Sequence, residues 1–189
     1  SEISPETRRP LTLYRQLLLT ALDEYALRYP AERTQVEHFS DFVSANPHCF
    51  ERSSLVGHVT GSAWIIDGRH ERCLLTNHKK LNRWLQPGGH CDGDGDVAGV
   101  ALREAFEESG LTSLKLVSSE IFDIDIHSIP ARKAEPEHFH YDVRFLLECG
   151  CDEHYVISDE SHDLAWVPLV RVLDYSSEDS VLRMVQKTA

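Results

Sequence analysis

The acidic segment at residues 103–108 constrains this chain more than any other part of its sequence. A helix is predicted from Val97 to Ser109, because apolar residues recur there at helical spacing and a glycine follows as a C-terminal stop. At about 3.6 residues per turn, Glu104, Glu107 and Glu108 fall on one face of that helix. The same face is apolar one and two turns earlier, so the helix should pack inward and end in these carboxylates.

A row of carboxylates at the end of a helix is electrostatically unfavourable without a counter-ion. Like charges at this spacing repel, and the helix dipole disfavours anions in the last turns. Oxygen ligands suit hard cations, which predicts a site for Mg²⁺ or Mn²⁺, with a solvated acidic surface as the alternative. A calcium loop starting at Asp92 is excluded, because its sixth and twelfth positions hold Val97 and Arg103 instead of Gly and Glu.

Counted from Gly89, the chain resembles the Nudix box. That pattern is Gly, five residues of any kind, Glu, seven of any kind, then Arg-Glu-apolar-any-Glu-Glu-any-Gly-apolar, and residues 103–111 close it at the correct separation. The likeness covers roughly residue 56 to the C-terminus. It implies an α/β (α+β) fold, a Nudix-type α/β/α sandwich with a mixed sheet. It also implies metal-dependent hydrolysis of a pyrophosphate bond in a nucleoside diphosphate linked to another moiety.

The resemblance further implies roles for individual residues. Glu104, Glu107 and Glu108 would be catalytic metal ligands for Mg²⁺ or Mn²⁺, Arg103 would orient the acidic row, and the carbonyl of Gly89 would add a ligand. Glu160 lies in an acidic loop that precedes a Trp-containing strand. An additional metal-binding or general-base carboxylate is expected there, with a solvated loop as the alternative.

One position departs from the pattern. The first Glu of the box falls at Gly95, between Asp94 and Asp96, and either aspartate could partly replace it. The departure motivates one alternative to the enzyme described above, a Nudix-fold nucleotide-binding module with weak or no catalysis. A further alternative keeps the enzyme class but changes the substrate, as a house-cleaning nucleoside triphosphate pyrophosphohydrolase.

Other polar side chains are candidates for contact with substrate. His90 directly follows the box glycine, and Arg132 belongs to a small basic island that could clamp a phosphate. His138 and His140 alternate on one face of a predicted strand, where Asp142 could join them in a second metal site. Without a convincing third ligand, we interpret these two as ordinary surface or half-buried histidines.

Charge and cysteine content indicate the kind of partner and compartment. The net charge of −12 disfavours broad nucleic-acid binding, so a small-molecule nucleotide is the expected partner. No apolar stretch approaches the roughly 20 residues of a membrane span, and no secretory leader pattern is visible. The five cysteines lack a Cys-x-x-Cys pair, which indicates free thiols and a cytoplasmic location.

Periodicity divides the chain into two parts. Residues 1–48 are predicted to be an N-terminal helical extension, with helices over Leu11–Tyr29 and Glu32–Val43, and residues 49–189 to be the Nudix hydrolase domain. We expect the extension to cover substrate or to mediate a homodimer. In the domain, strands are predicted before and after the acidic helix, followed by a closing helix: Leu55–Ile66, Cys73–Thr76, Leu114–Ile129, Tyr141–Leu147, Ala165–Val167 and the helix Glu178–Lys187.

Overall fold

The computed structural model describes residues 9–189 as four α-helices and one eight-stranded sheet. In chain order the elements are α1 (Leu11–Arg28), α2 (Arg33–Ala45), β1 (Gly57–Ile66), β2 (Arg72–His78), β3 (Arg83–Leu85), β4 (Gly88–His90), α3 (Val97–Ser109), β5 (Leu114–Leu116), β6 (Asp123–Ile129), β7 (His138–Cys149), β8 (Ser161–Pro168) and α4 (Asp179–Thr188). Among these residues, no helix is both long and apolar enough to span a bilayer.

The sheet is mixed and is organised around β1 and β7. These two strands run parallel, from Gly57 opposite Phe139 to Ile66 opposite Glu148. The remaining pairings are antiparallel: β2 and β4 pair with β1, β3 and β8 pair with β2, and β5 and β6 pair with β7. The mixed sheet predicted from the sequence is therefore confirmed.

The side chains of β1 alternate between two hydrophobic clusters, one on each face of the sheet. Val59, Ala63 and Ile65 point into a core shared with α1, α2 and α3. Trp64 and Ile66 point to the opposite face, where Val181 and Met184 of α4 pack. Helices thus cover both faces of the sheet, which confirms the predicted sandwich.

The two N-terminal helices share the main hydrophobic core with the sheet. Leu22 and Tyr25 of α1 and Phe39 and Val43 of α2 are fully buried there. Burying a large apolar side chain stabilises the fold by about 1.5–3 kcal/mol. The extension therefore contributes to stability, while the domain boundary at residue 48 stays a prediction.

A buried ionic network fastens α4 to the sheet and to the N-terminal helices. The carboxylate of Asp123 is fully buried and accepts hydrogen bonds from Arg144 at 3.1 Å, Arg183 at 2.8 Å and Lys187 at 2.6 Å. Lys187 also lies 2.9 Å from Glu32, in the turn between α1 and α2. The network fixes the polar face of β6 and β7. Residues of that face, such as Asp125 and Arg144, line a cavity in the protein.

Candidate active site

The helix α3 is seated on the sheet by contacts at its N-terminal end. Asp96 caps the helix, with Oδ1 accepting from the backbone N–H of Gly99 at 3.2 Å. Gly61 of β1 allows α3 to pack this closely on the strand, because a Cβ there would lie 2.9 Å from the carbonyl oxygen of Val97. Gly110, with φ of 68°, ends the helix as predicted.

The acidic end of α3 lies against β4. A Cβ at Gly89 would stand 2.5 Å from Cδ of Glu104, so a side chain there would displace this carboxylate from its position against β4. The next glutamate on the face, Glu108, is 3% exposed and accepts a hydrogen bond from the N–H of Gly88 at 2.8 Å. Glu107 is exposed. The helix face and the glycine pair therefore place three carboxylates at the edge of β4 with different degrees of burial.

The pKa values of Glu104 and Glu108 are raised, as expected for neighbouring carboxylates that form no salt bridge within the described part of the chain. Burial, together with the charges of Glu104, Glu160 and Glu107, raises the pKa of Glu108 to about 8. Burial and the neighbouring Glu107 also raise the pKa of Glu104. Among residues 9–189, no Lys or Arg forms a salt bridge with any of these three glutamates, and Arg103 pairs instead with Asp94.

A cavity of about 490 Å³ opens beside the carboxylates. It brings together Glu108, Gly89, His90 and Arg132 among the residues selected from the sequence. Arg132 is exposed, and its backbone is held in a bridge with Glu135. The remaining selected residues, Glu104, Glu107, Arg103 and Glu160, lie outside the cavity wall.

A family model described as the NUDIX domain matches residues 57–185 of this chain. The match covers more than half of the sequence and includes the whole of the box. The chain belongs to the Nudix family.

The relatives of this Nudix protein are distant. A protein of Lactococcus lactis subsp. cremoris, named "Probable DHNTP pyrophosphohydrolase", is 29% identical over 89 residues, which make up 46% of this chain and 52% of that protein. The chain thus spans about half the length of that curated relative.

Two solved structures show the same fold. A Caenorhabditis elegans Ap4A hydrolase in a binary complex has a TM-score of 0.56 at 17% identity, over 68% of this chain and 93% of that one. A UDP-X diphosphatase has a TM-score of 0.51 at 15% identity, over 94% of this chain and 93% of its own. The second match is long enough to include most of the two N-terminal helices.

The structure explains why the Nudix box of this chain has glycine at position 95. A Cβ built on Gly95 would lie 2.6 Å from Cγ of Tyr14 and closer still to its Cβ, because α1 packs directly on this loop. Backbone strain is not the reason, since Gly95 does not have a left-handed φ. Asp94 approaches Arg103 at 3.6 Å, and Asp96 caps α3. The two neighbouring aspartates therefore make local contacts within the box while α1 fills the space of the missing side chain.

Glu160 lies close to the Nudix carboxylates, just before β8. Its charge raises the pKa of both Glu104 and Glu108. Its backbone carbonyl accepts from the N–H of Lys79 at 3.1 Å, which ties this end of β8 to the end of β2. The side chain is exposed, so it is open to solvent as well as to the acidic row.

Sequence reasoning missed part of the cavity floor. His58 of β1 and His127 of β6 both lie opposite His140 of β7 in the strand register. The only sequence signal is alternation: His58, Thr60 and Ser62 share one face of β1. Their pairing with β7 is a long-range contact that local pattern does not reveal. Lys80, in the turn between β2 and β3, also lines the cavity and was not selected from the sequence.

Proposed function

We propose that this Nudix protein is a hydrolase that uses Mg²⁺ or Mn²⁺ to split a pyrophosphate bond in a small nucleotide-derived substrate. One observation carries the proposal. Glu108 is 3% exposed beside Glu104, and among the described residues neither has a basic partner. Buried carboxylates without a positive partner are costly unless they are protonated or bind a cation.

The residues present fit a hard divalent cation. Glu104, Glu107 and Glu108 offer carboxylate oxygens, which Mg²⁺ and Mn²⁺ prefer. Burial, and then the charges of the neighbouring glutamates, raises the pKa of Glu108 to about 8. The carbonyl of Gly89 is our proposed further ligand, since its strand lies against the Glu104 carboxylate.

The reaction adds water across the P–O–P linkage. A new P–O bond forms to the water oxygen, the bridging P–O bond breaks, and the water loses a proton. A cation bound at the carboxylates would offset the charge of the diphosphate and lower the pKa of the attacking water. We assign the proton-accepting role to Glu160, which is exposed and close enough for its charge to influence Glu104 and Glu108. Arg103 is assigned to the orientation of the box through its pairing with Asp94.

The cavity supports a substrate of nucleotide size. Its volume of about 490 Å³ lies within the roughly 300–1,000 Å³ of small-molecule sites. His90 and Arg132 line it, and Arg132 forms no salt bridge among residues 9–189, which leaves its guanidinium available to a phosphate.

We propose a nucleoside diphosphate linked to another moiety as the substrate class. The names of the Caenorhabditis elegans and UDP-X proteins, a hydrolase and a diphosphatase, agree with this class. The second candidate is a house-cleaning nucleoside triphosphate pyrophosphohydrolase, and the name of the Lactococcus relative, a pyrophosphohydrolase, agrees with either class.

The binding-module alternative rests on Gly95. The packing of Tyr14 against that glycine supplies a structural reason for the residue that does not involve loss of catalysis. The three box glutamates remain in place, so the enzyme is the better supported function.

The test is hydrolysis by the full chain across a panel of nucleotide derivatives. The panel should contain nucleoside triphosphates, nucleoside diphosphate sugars, dinucleoside polyphosphates and ADP-ribose, each incubated with Mg²⁺, with Mn²⁺ or with excess chelator. We expect at least one compound to yield two phosphate-ended products in a metal-dependent manner, identified by chromatography. Nucleotide binding without hydrolysis of any compound, under either metal, would instead establish a binding module.

A further inference from the structure

Four strands direct imidazole rings onto one patch of the cavity floor. The rings come from β1, β4, β6 and β7, and they are His58, His90, His127, His138 and His140. His140 is the centre, with ring centroids at 4.8 Å from His58, 5.3 Å from His138 and 5.2 Å from His90. These residues are separate from the box carboxylates, and apart from His90, a proposed substrate contact, they have no role in the hydrolysis proposed above.

Three buried nitrogens of this cluster have no hydrogen-bond partner among residues 9–189. Both Nδ1 and Nε2 of His58 and Nε2 of His140 are buried and unpaired among the described residues. An unsatisfied buried polar atom is destabilising, and most such atoms in native proteins have a partner. A neutral imidazole has one lone pair and one N–H, so each of these two rings can offer one unpaired lone pair to a cation bound in the patch.

We propose that His58, His138 and His140 bind one transition-metal cation of the Zn²⁺ class on the floor of this cavity. One nitrogen from each residue lies within 4.8 Å of the other two. Nitrogens that share a tetrahedral Zn²⁺ lie about 3.3 Å apart, given Zn–N bonds of about 2.0–2.1 Å. Small rotations of the three rings would bring the atoms to that spacing.

A hydrogen bond already orients one of the three proposed ligands. Nδ1 of His138 lies 2.9 Å from the carbonyl of Pro136, so it carries the proton and leaves the Nε2 lone pair free. The neighbouring His127 has the same arrangement, with Nδ1 at 3.0 Å from Asp125. A carbonyl or carboxylate behind the ring is the usual outer partner of a metal-binding histidine.

The spacing of the three rings favours a cation over an anionic phosphate as the occupant. A neutral imidazole has one lone pair, and three ring nitrogens that lie within 4.8 Å of one another can share a single cation. Imidazole nitrogen selects Zn²⁺ and its neighbours in the first transition row rather than Mg²⁺. Three protein ligands leave a fourth position, which here opens to the cavity beside His90.

The experiment is Zn²⁺ titration of the chelator-treated full chain by calorimetry, followed by Co²⁺ titration with visible absorption. With excess Mg²⁺ present in every titration to compete for the carboxylates of the box, we expect one equivalent of Zn²⁺ to bind and Co²⁺ to give a tetrahedral spectrum. His138→Ala should weaken the affinity for Zn²⁺ by at least about 10-fold, since loss of even an outer partner commonly has that effect.

Three further variants distinguish a Zn²⁺ site at these histidines from a purely structural role of the rings, from binding at other histidines and from binding at the box carboxylates. His140→Phe keeps a ring in the core but removes its nitrogens, so it should fold normally and still lose Zn²⁺ affinity. His154→Ala, at an exposed histidine outside the cluster, and Glu107→Gln, in the box, should bind Zn²⁺ like the natural chain.

Two results would overturn the proposal. One is Zn²⁺ binding that is absent, or that is unchanged in both His138→Ala and His140→Phe. The other is binding lost in Glu107→Gln but kept in the histidine variants, which would place the metal at the carboxylates. Circular dichroism of each variant confirms that a loss of binding does not reflect unfolding.

Discussion

Gly95→Ala should destabilise the fold because it adds one methyl group where α1 meets the Nudix box. The new Cβ would stand 2.6 Å from Cγ of Tyr14, with its Cβ nearer still, so the helix must shift. Overpacking of this kind typically costs about 1–3 kcal/mol. At about 2–4 °C per kcal/mol for a chain of this size, the melting temperature should fall by about 2–12 °C. Gly95→Glu should lower the melting temperature further. It should also gain no activity, because its carboxylate cannot reach the box without displacing α1.

Thermal unfolding followed by circular dichroism provides the assay. Gly68→Ala is the matched control, since its Cβ would meet only the carbonyl oxygen of Cys149 at 3.7 Å. In a Tyr14→Gly background, Gly95→Ala should cost less than in the natural chain, because the atoms it meets are gone. Equal losses in both backgrounds would refute the packing argument. A large gain in hydrolysis by Gly95→Glu would show that the missing acid, rather than α1, limits this box.

Other parts of the structure carry predictions of their own. In chelator-treated protein, the stability that Glu108 contributes should be lost as the pH rises from about 4.5 to about 8, since this acid ionises in the unfolded chain before it does in the folded one. The lowered pKa of His58 acts in the opposite direction below about pH 6.5, so the test is the difference between the melts of the natural chain and of Glu108→Gln. That difference should change across this pH range, and a constant difference would contradict the burial of this acid. Asp123→Asn should lower the free energy of unfolding by about 3–5 kcal/mol by leaving buried cations unpaired, against less than about 1 kcal/mol for the exposed Asp174→Asn. Comparable losses in urea denaturation would contradict the role of the network. Arg132→Ala should raise KM for the substrate by about 10-fold, worth about 1.4 kcal/mol, and a loss confined to kcat would argue against a binding role.

Local periodicity was sufficient to place the helices and the carboxylate row. The predicted helix over residues 97–109 is α3, and the face that carries Glu104 and Glu108 meets β4. The segment Leu114–Ile129, read from its β-branched and apolar residues as extended, is instead two strands, β5 and β6, separated by residues 117–122. Both strands pair with β7, so the break follows from their separate places along that strand.

Contacts between distant segments could not be read from the sequence. The role of Gly95 depends on Tyr14, which belongs to a helix about 80 residues earlier in the chain. The histidine cluster depends on the parallel register that sets His58 opposite His140. A pattern of alternation predicts which face a side chain occupies, but it does not identify the neighbouring strand.

The central claim is that the carboxylates at the end of α3 hold the divalent cation that hydrolysis requires. The most direct measurement is Mn²⁺ affinity and kcat, on the best substrate of the panel, for Glu107→Gln and Glu108→Gln beside Glu120→Gln, an exposed control outside the box. We predict that each box variant folds, binds Mn²⁺ more weakly, and loses at least about 100-fold in kcat, comparable to removal of one transition-state stabilising group. The control should match the natural chain. Natural turnover and Mn²⁺ affinity in both box variants, or hydrolysis that persists in excess chelator, would contradict the account.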